Sequence, residues 1–303
     1  MLGSSILRLW HCTFPMSNKS SVLSVVVAIR KLPKHQIRWY NKSNQIEDEV
    51  ERRVKIISST LNGMSKSSFN TAKQSKHTKI IHFQRHGQGY HNLMWRIYDN
   101  LGLRIDLNDI DPIKNPFVRP EIVDSPLTAK GKMQCVSKKQ QASQLNPELI
   151  IVSPLLRTMQ TAHITFSDFR KEEKIPWLAH DGCREELGLL VCNKCRSVSE
   201  ISDEFPYVDI SNIESGENDK LWISSKREPS SAQSQRIYNF LTDFIRKRKE
   251  KEIAIVGHSA WFYTMCNEVM DCGDDEKLKS VFDVSEIRSM CVTFQDYEAT
   301  YNT

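Results

Sequence analysis

Arg85-His86-Gly87 places an imidazole, a guanidinium and a glycine directly after the apolar run Ile80-Ile81-His82-Phe83. A neutral imidazole is available near pH 7 and can attack phosphorus through a ring nitrogen. Arg85 offers a planar fork that grips two phosphate oxygens at once. Gly87 lets the backbone come close to an anion and can supply an N–H donor. Alone, the triplet reads as a polar loop. Other residues change that reading. Asn92 follows on the next helix as an extra donor. Arg157 falls on a first helical turn after a second apolar run, Leu149-Ile150-Ile151-Val152, and His258 ends a third, Ile253-Ala254-Ile255-Val256. Glu185 and Glu186 precede Gly188, and either can serve as a general acid. Taken singly, these are a surface arginine, a core histidine and two solvated carboxylates.

The elements that must position them follow from apolar patterning. The three runs read as buried strands, and each ends in a reactive side chain: Arg85-His86, Ser153 with Arg157 one turn on, and His258. Thr128 is the expected N-cap of a helix of about 17 residues, and Pro154 suits the first turn of the next. Residues 176–181 read as a strand. Ile237, Phe240, Leu241, Phe244 and Ile245 give one apolar face to a helix over 232–249. Cys291-Val292-Thr293-Phe294 reads as an edge strand. Residues 100–125, with their Asp, Asn and Pro, read as a long surface loop. Strands alternating with helices predict an α/β fold: a three-layer sandwich with a mostly parallel central sheet flanked by helices on both faces. Ligands of such sheets lie beyond the carboxyl ends of the strands.

Charge divides the chain. Residues 1–46 hold seven Lys or Arg and no acid; taking these from the 42 basic residues leaves 35 against 37 acids, a nearly neutral body. That body carries no electrostatic footprint for nucleic acid. The basic start, with its Ser and its apolar run Val22-Leu23-Ser24-Val25-Val26-Val27-Ala28-Ile29, resembles an organelle transit peptide, and Arg38-Trp39-Tyr40-Asn41 resembles a mitochondrial processing site. Import into the mitochondrion is therefore expected, with plastid or cytoplasm as alternatives. The run is too short to span a bilayer. Residues 1–46 read as transit peptide or basic tail, 47–77 as a polar linker with a helix near 46–61, and 78–303 as the catalytic domain. The eight cysteines are too sparse for a disulfide scaffold and read as thiols. Cys192-Asn193-Lys194-Cys195 lacks a second pair at zinc-finger spacing. Arg246-Lys247-Arg248-Lys249 reads as a helix end.

The order Arg85-His86-Gly87, Leu127-Thr128-Ala129-Lys130-Gly131, Ser153-Pro154-Leu155-Leu156-Arg157-Thr158 and Val256-Gly257-His258-Ser259 resembles that of the histidine phosphatase superfamily, in its phosphoglycerate-mutase-like branch. Gln88-Gly89-Tyr90-His91-Asn92 and Cys183-Arg184-Glu185-Glu186-Leu187-Gly188 extend the likeness to plant and fungal members. The resemblance implies His86 as phosphohistidine nucleophile and Arg85, Arg157 and His258 as the phosphate pocket; charge building on the phosphoryl oxygens calls for a protonated His258 there. Asn92, Gln88 and Ser259 are the further substrate contacts, and Glu185 is the proton donor, with Glu186 in reserve. It implies a small phosphorylated substrate, no cofactor and no metal. Gln88 stands where the mutases have Glu, and residues 100–125 lack a recognisable mutase substrate loop. Both departures favour a phosphatase over a phosphomutase. A regulatory or binding module on the same fold and a protein phosphatase are the remaining readings.

Overall fold

The structure, a computed structural model, describes residues 54–61, 66–171 and 175–296. The basic segment 1–46, with its expected transit peptide, lies outside them. One seven-stranded sheet organises the chain, in the order β1-β7-β2-β6-β3-β4-β5. The strands are β1 (Val54–Thr60), β2 (Thr78–Arg85), β3 (Leu149–Val152), β4 (Trp177–His180), β5 (Asp209–Asn212), β6 (Glu252–Gly257) and β7 (Ile287–Asp296). Pairings among β2, β6, β3, β4 and β5 are parallel, whereas β7 runs antiparallel to both β1 and β2.

The apolar runs become the middle of this sheet because strands covered on both faces need apolar side chains in both directions. All residues of β3 and β6 are buried. Their side chains alternate between two cores. Leu149, Ile151, Ile253 and Ile255 join Ile81, Phe83, Ile237, Leu241 and Trp261. Ile150, Val152, Ala254 and Val256 join Leu155, Met159, Ala162 and Phe166. Each fully buried Ile or Leu contributes about 1.5–3 kcal/mol.

The helices are α1 (Lys66–Gln74), α2 (Tyr90–Asn100), α3 (Ala129–Ala142), α4 (Leu156–Thr165), α5 (Ser167–Lys171), α6 (Val198–Glu204), α7 (Ser230–Asn239), α8 (Ser259–Thr264) and α9 (Glu276–Lys279). Thr128 caps α3 as its residue type predicts, its Oγ1 accepting the Gly131 N–H at 3.0 Å. The helix expected over 232–249 is α7 continued by a π-helical stretch, Phe240–Ile245. No helix among the described residues is long and apolar enough to cross a membrane.

Three expectations need correction. The stretch 46–61 is not helical where it is described: Val54–Thr60 is a strand, paired along its length with β7, and α1 follows it. Alternating burial of Val54, Ile56 and Ser58 fits a pleated strand, and part of the expected linker therefore belongs to the sheet. For the same reason β7 is no edge strand, since β1 covers its outer side. Finally, 100–125 is not only surface loop. It forms short 3-10 turns at Pro116–Val118 and Pro120–Ile122, and Phe117 is buried with Leu189, Leu190 and Cys192.

Helix α3 packs directly on the loop after β2. A Cβ at Gly131 would lie 2.2 Å from the Gln88 carbonyl oxygen. Gly131→Ala should therefore lower stability by about 1–3 kcal/mol through overpacking against backbone. A denaturant titration showing a loss below about 0.5 kcal/mol would contradict this packing.

Candidate active site

β6 lies between β2 and β3, in a register that pairs Arg85 with Gly257 and Val152 with Val256. The carboxyl ends of three neighbouring strands thus deliver Arg85-His86, Ser153 and His258 side by side. The His86 N–H donates to the Gly257 carbonyl at 3.1 Å, and the His86 carbonyl accepts from Ser285 N–H at 3.1 Å. Both sides of the loop are held by backbone.

His86 Nδ1 lies 2.6 Å from the Gly87 carbonyl oxygen. A carbonyl only accepts, so Nδ1 carries the proton and Nε2 keeps its lone pair. His86 and Arg157 are 1% exposed and His258 is 0% exposed. Burial, then the charges of Arg157 and Arg85, hold the His86 imidazole well below its usual pKa, and it is neutral.

Arg157 sits in the first turn of α4. Its Nη1 donates to the Cys192 carbonyl at 2.7 Å and its Nη2 to Asn193 Oδ1 at 2.9 Å, while its Nε is buried without a hydrogen-bond partner. The motif around Cys192 thus serves this pocket through a carbonyl and an amide, not through sulfur. Asp124 Oδ1 accepts the Leu156 N–H at 2.7 Å at the start of the same helix. Burial raises the Asp124 carboxyl to a pKa of about 6, against the pull of that N–H and of Arg157. Arg85 Nη1 donates to the Phe282 carbonyl at 2.6 Å.

His258 precedes α8, with its Nε2 2.7 Å from Ser153 Oγ and its Nδ1 buried without a hydrogen-bond partner. Its ring centroid is 5.3 Å from that of His86, and the ring of His91 flanks His86 at 5.4 Å. The expectation of a protonated His258 needs revision for the free pocket. Burial first, then the charge of Arg157, holds it well below the usual imidazole range.

The two acids occupy different places. Glu185 reaches the start of α8, where its Oε1 accepts the Trp261 N–H at 3.1 Å and its Oε2 the Ala260 N–H at 3.3 Å. Glu186 is turned away into a bidentate pair with Arg227, one arm of which is Nη2 to Oε2 at 2.6 Å. Arg236 fastens the loop that carries both, donating to the carbonyls of Gly182, Arg184 and Glu185 at 3.2, 3.0 and 3.2 Å while paired with Glu228. Arg184 anchors the other side of that loop through a buried bidentate pair with Asp219 at 2.7 and 2.6 Å.

Comparison with known proteins now decides the family. A model of the histidine phosphatase superfamily (branch 1) matches residues 121–301. An Arabidopsis thaliana phosphoglycerate mutase-like protein is 33% identical over 245 residues, covering 71% of this chain and 84% of that one. Phosphoglycerate mutase-like protein 1 of the same plant is 33% identical over 247 residues, covering 71% and 81%. The chain belongs to the histidine phosphatase superfamily. A solved putative alpha-ribazole-5'-P phosphatase from Escherichia coli is similar over 72% of this chain and 95% of its own, with a TM-score of 0.45 and 16% identity.

Within this member of the superfamily, one sequence expectation changes. The Gly87 N–H is not offered to a ligand; it donates to Thr161 Oγ1 at 3.1 Å, on α4. The side-chain carbonyl of Gln88 accepts from Thr128 Oγ1 at 3.0 Å and braces α3, which leaves its amide N–H groups as donors. Asn92 turns its Oδ1 to the Gly89 N–H at 3.0 Å, which leaves its amide N–H groups as donors. Ser259 opens α8 beside His258. Sequence reasoning assigned no role to Asn193, Asp124, Arg236 or His91. Only His91 carried a signal, standing between Tyr90 and Asn92 shortly after the nucleophile.

The three depressed imidazoles make stability depend on pH. A histidine whose folded pKa lies below its unfolded value of 6.5 binds its proton preferentially in the unfolded chain. Stability should therefore be fully present above pH 6.5 and decline as pH falls below it. Thermal unfolding from pH 7.5 to 5.0 checks this, and a smaller decline is expected for His91→Phe than for the wild type. Equal declines would show that His91 does not titrate on unfolding.

Proposed function

We propose that this chain is a metal-independent phosphomonoesterase that carries the phosphoryl group on Nε2 of His86. The observation that carries the reading is the hydrogen bond from His86 Nδ1 to the Gly87 carbonyl, which leaves Nε2 unprotonated among buried cation and imidazole donors. Family membership supports phosphoryl transfer of the phosphatase or mutase type.

In the first step the Nε2 lone pair attacks phosphorus and the bond to the leaving oxygen breaks. Positive charge grows on the ring as it does so, and the Gly87 carbonyl stabilises the Nδ1–H that bears it. Negative charge stays on the phosphoryl oxygens, where Arg85, Arg157 and His258 stabilise it. A phosphate dianion adds the negative charge that His258 lacks in the free pocket, favouring its protonation on binding. Glu185 gives its proton to the leaving alkoxide. In the second step water attacks the phosphohistidine, the P–N bond breaks, and the Glu185 carboxylate takes the water proton.

Glu185 fits this role better than Glu186, whose carboxylate is committed to Arg227. Hydrolysis is favoured over mutase action by Gln88, which stands where the mutases have Glu. The basic, acid-free segment 1–46 supports import into the mitochondrion, which fusion to a reporter tests.

Phosphate release from p-nitrophenyl phosphate and from sugar and nucleotide monophosphates, in EDTA, is the experiment. His86→Ala should abolish it and Glu185→Gln should lower kcat about 10²–10⁴-fold on substrates with poor leaving groups. Glu186→Gln should leave kcat within a few-fold. Rapid conversion of 3-phosphoglycerate to 2-phosphoglycerate with little free phosphate would replace the hydrolytic reading with a mutase.

A further inference from the structure

His91 is the second residue of α2. Its ring lies against the nucleophile, 5.4 Å between centroids and tilted by 56°, nearly the spacing of His258 on the other contact. His258 spends one nitrogen on Ser153. His91 makes no such bond, and its Nδ1 is buried without a hydrogen-bond partner. Three buried nitrogens without partners, Arg157 Nε, His258 Nδ1 and His91 Nδ1, therefore belong to groups gathered around one imidazole. Leaving a polar atom buried and unsatisfied costs about 1–3 kcal/mol, so each calls for an explanation, a catalytic role or a bound ion or water among them.

We propose that His91 is a further phosphate-contacting residue, donating a hydrogen bond from Nδ1–H to the phosphoryl group that His86 receives. The inference rests on the phosphoryl-transfer reading above and deepens it. The tautomer follows from charge: a lone pair on Nδ1 would face anionic oxygens and be repelled, whereas Nδ1–H satisfies both sides. The groups around the ring are His86 and Arg85 from the end of β2, Arg157 from α4 and His258 from the end of β6. In the free pocket, burial and then Arg157 keep His91 neutral. A fixed neutral donor binds phosphate without adding a further cation to a pocket already crowded with them.

Gly89 accommodates this placement. A Cβ there would stand 2.7 Å from both Cε1 and Nδ1 of His91, so any side chain at 89 would drive the ring from its place. The loop residue just before α2 thus has its size set by His91.

The test is binding of inorganic phosphate to the full chain, followed by calorimetry and by the imidazole signals in proton–nitrogen NMR. In the wild type, saturating phosphate should shift the His91 Nδ1 resonance and protect its proton from exchange. His91→Phe, which keeps a ring and loses the donor, should weaken phosphate binding about ten-fold, equivalent to about 1.4 kcal/mol. His91→Gln, which restores a donor, should recover part of that loss. Arg157→Ala is the control for the site itself. If wild type binds phosphate and Arg157→Ala does not, an unmoved His91 resonance or wild-type affinity in His91→Phe overturns the His91 proposal alone. If wild type binds no phosphate, the phosphoryl-transfer reading falls and takes this proposal with it.

Discussion

β6 is paired in parallel on both sides, with β2 and with β3, and this double register is the constraint from which the site follows. Parallel strands end on the same side of a sheet, so three consecutive strand ends converge without any loop having to reach across the fold. Backbone pairing fixes where His86, Ser153 and His258 emerge to within the tolerance of the ladder. The alternating burial of β3 and β6 in two cores prevents a one-residue slip, which would exchange every inward and outward side chain. Rigid strands, not loops, therefore set the distance between nucleophile and flanking imidazole.

The cost of this arrangement is electrostatic. Arg157 is buried beside imidazoles that are neutral in the free pocket, and an unpaired buried charge is expensive. The chain offsets the cost with carbonyls and amides rather than with a directly paired acid. Cys192 and Asn193 take up two arms of Arg157, and the nearest acids lie farther off. A carboxylate bonded directly to Arg157 would compete with phosphate for it. Neutral acceptors hold the guanidinium in place and leave its charge for the anion. Acids that do form tight pairs bind other arginines: Asp219 holds Arg184, Glu186 holds Arg227 and Glu228 holds Arg236. These pairs brace the loop that carries Glu185.

Much of this was legible in the sequence. Apolar runs followed by His86, Ser153 and His258 leave few other folds open, and Thr128 marks the start of α3 by its chemistry, whereas Pro154, expected in the first turn of the next helix, lies before the Leu155 cap of α4. What stayed hidden depends on long-range partners. Val54–Thr60 is a strand because β7 is available to pair with it, and its own residues are too polar to announce that. Glu185 and Glu186 are adjacent and identical in type, so only the place of Arg227 separates them. The Gly87 N–H reads as an anion donor from its place in the loop, but Thr161 on α4 claims it. Asn193 escaped notice since its role needs Arg157 next to it in space, 36 residues away in sequence.

The central claim is that a phosphoryl group passes through one nitrogen of one histidine. Quenching the enzyme in alkali during turnover, then locating phosphohistidine by mass spectrometry and phosphorus NMR, tests it most directly. The account predicts a phosphoryl group on Nε2 of His86, since Nδ1 is held by the Gly87 carbonyl. Phosphate on Nδ1, on another residue, or on no residue during sustained turnover would contradict it.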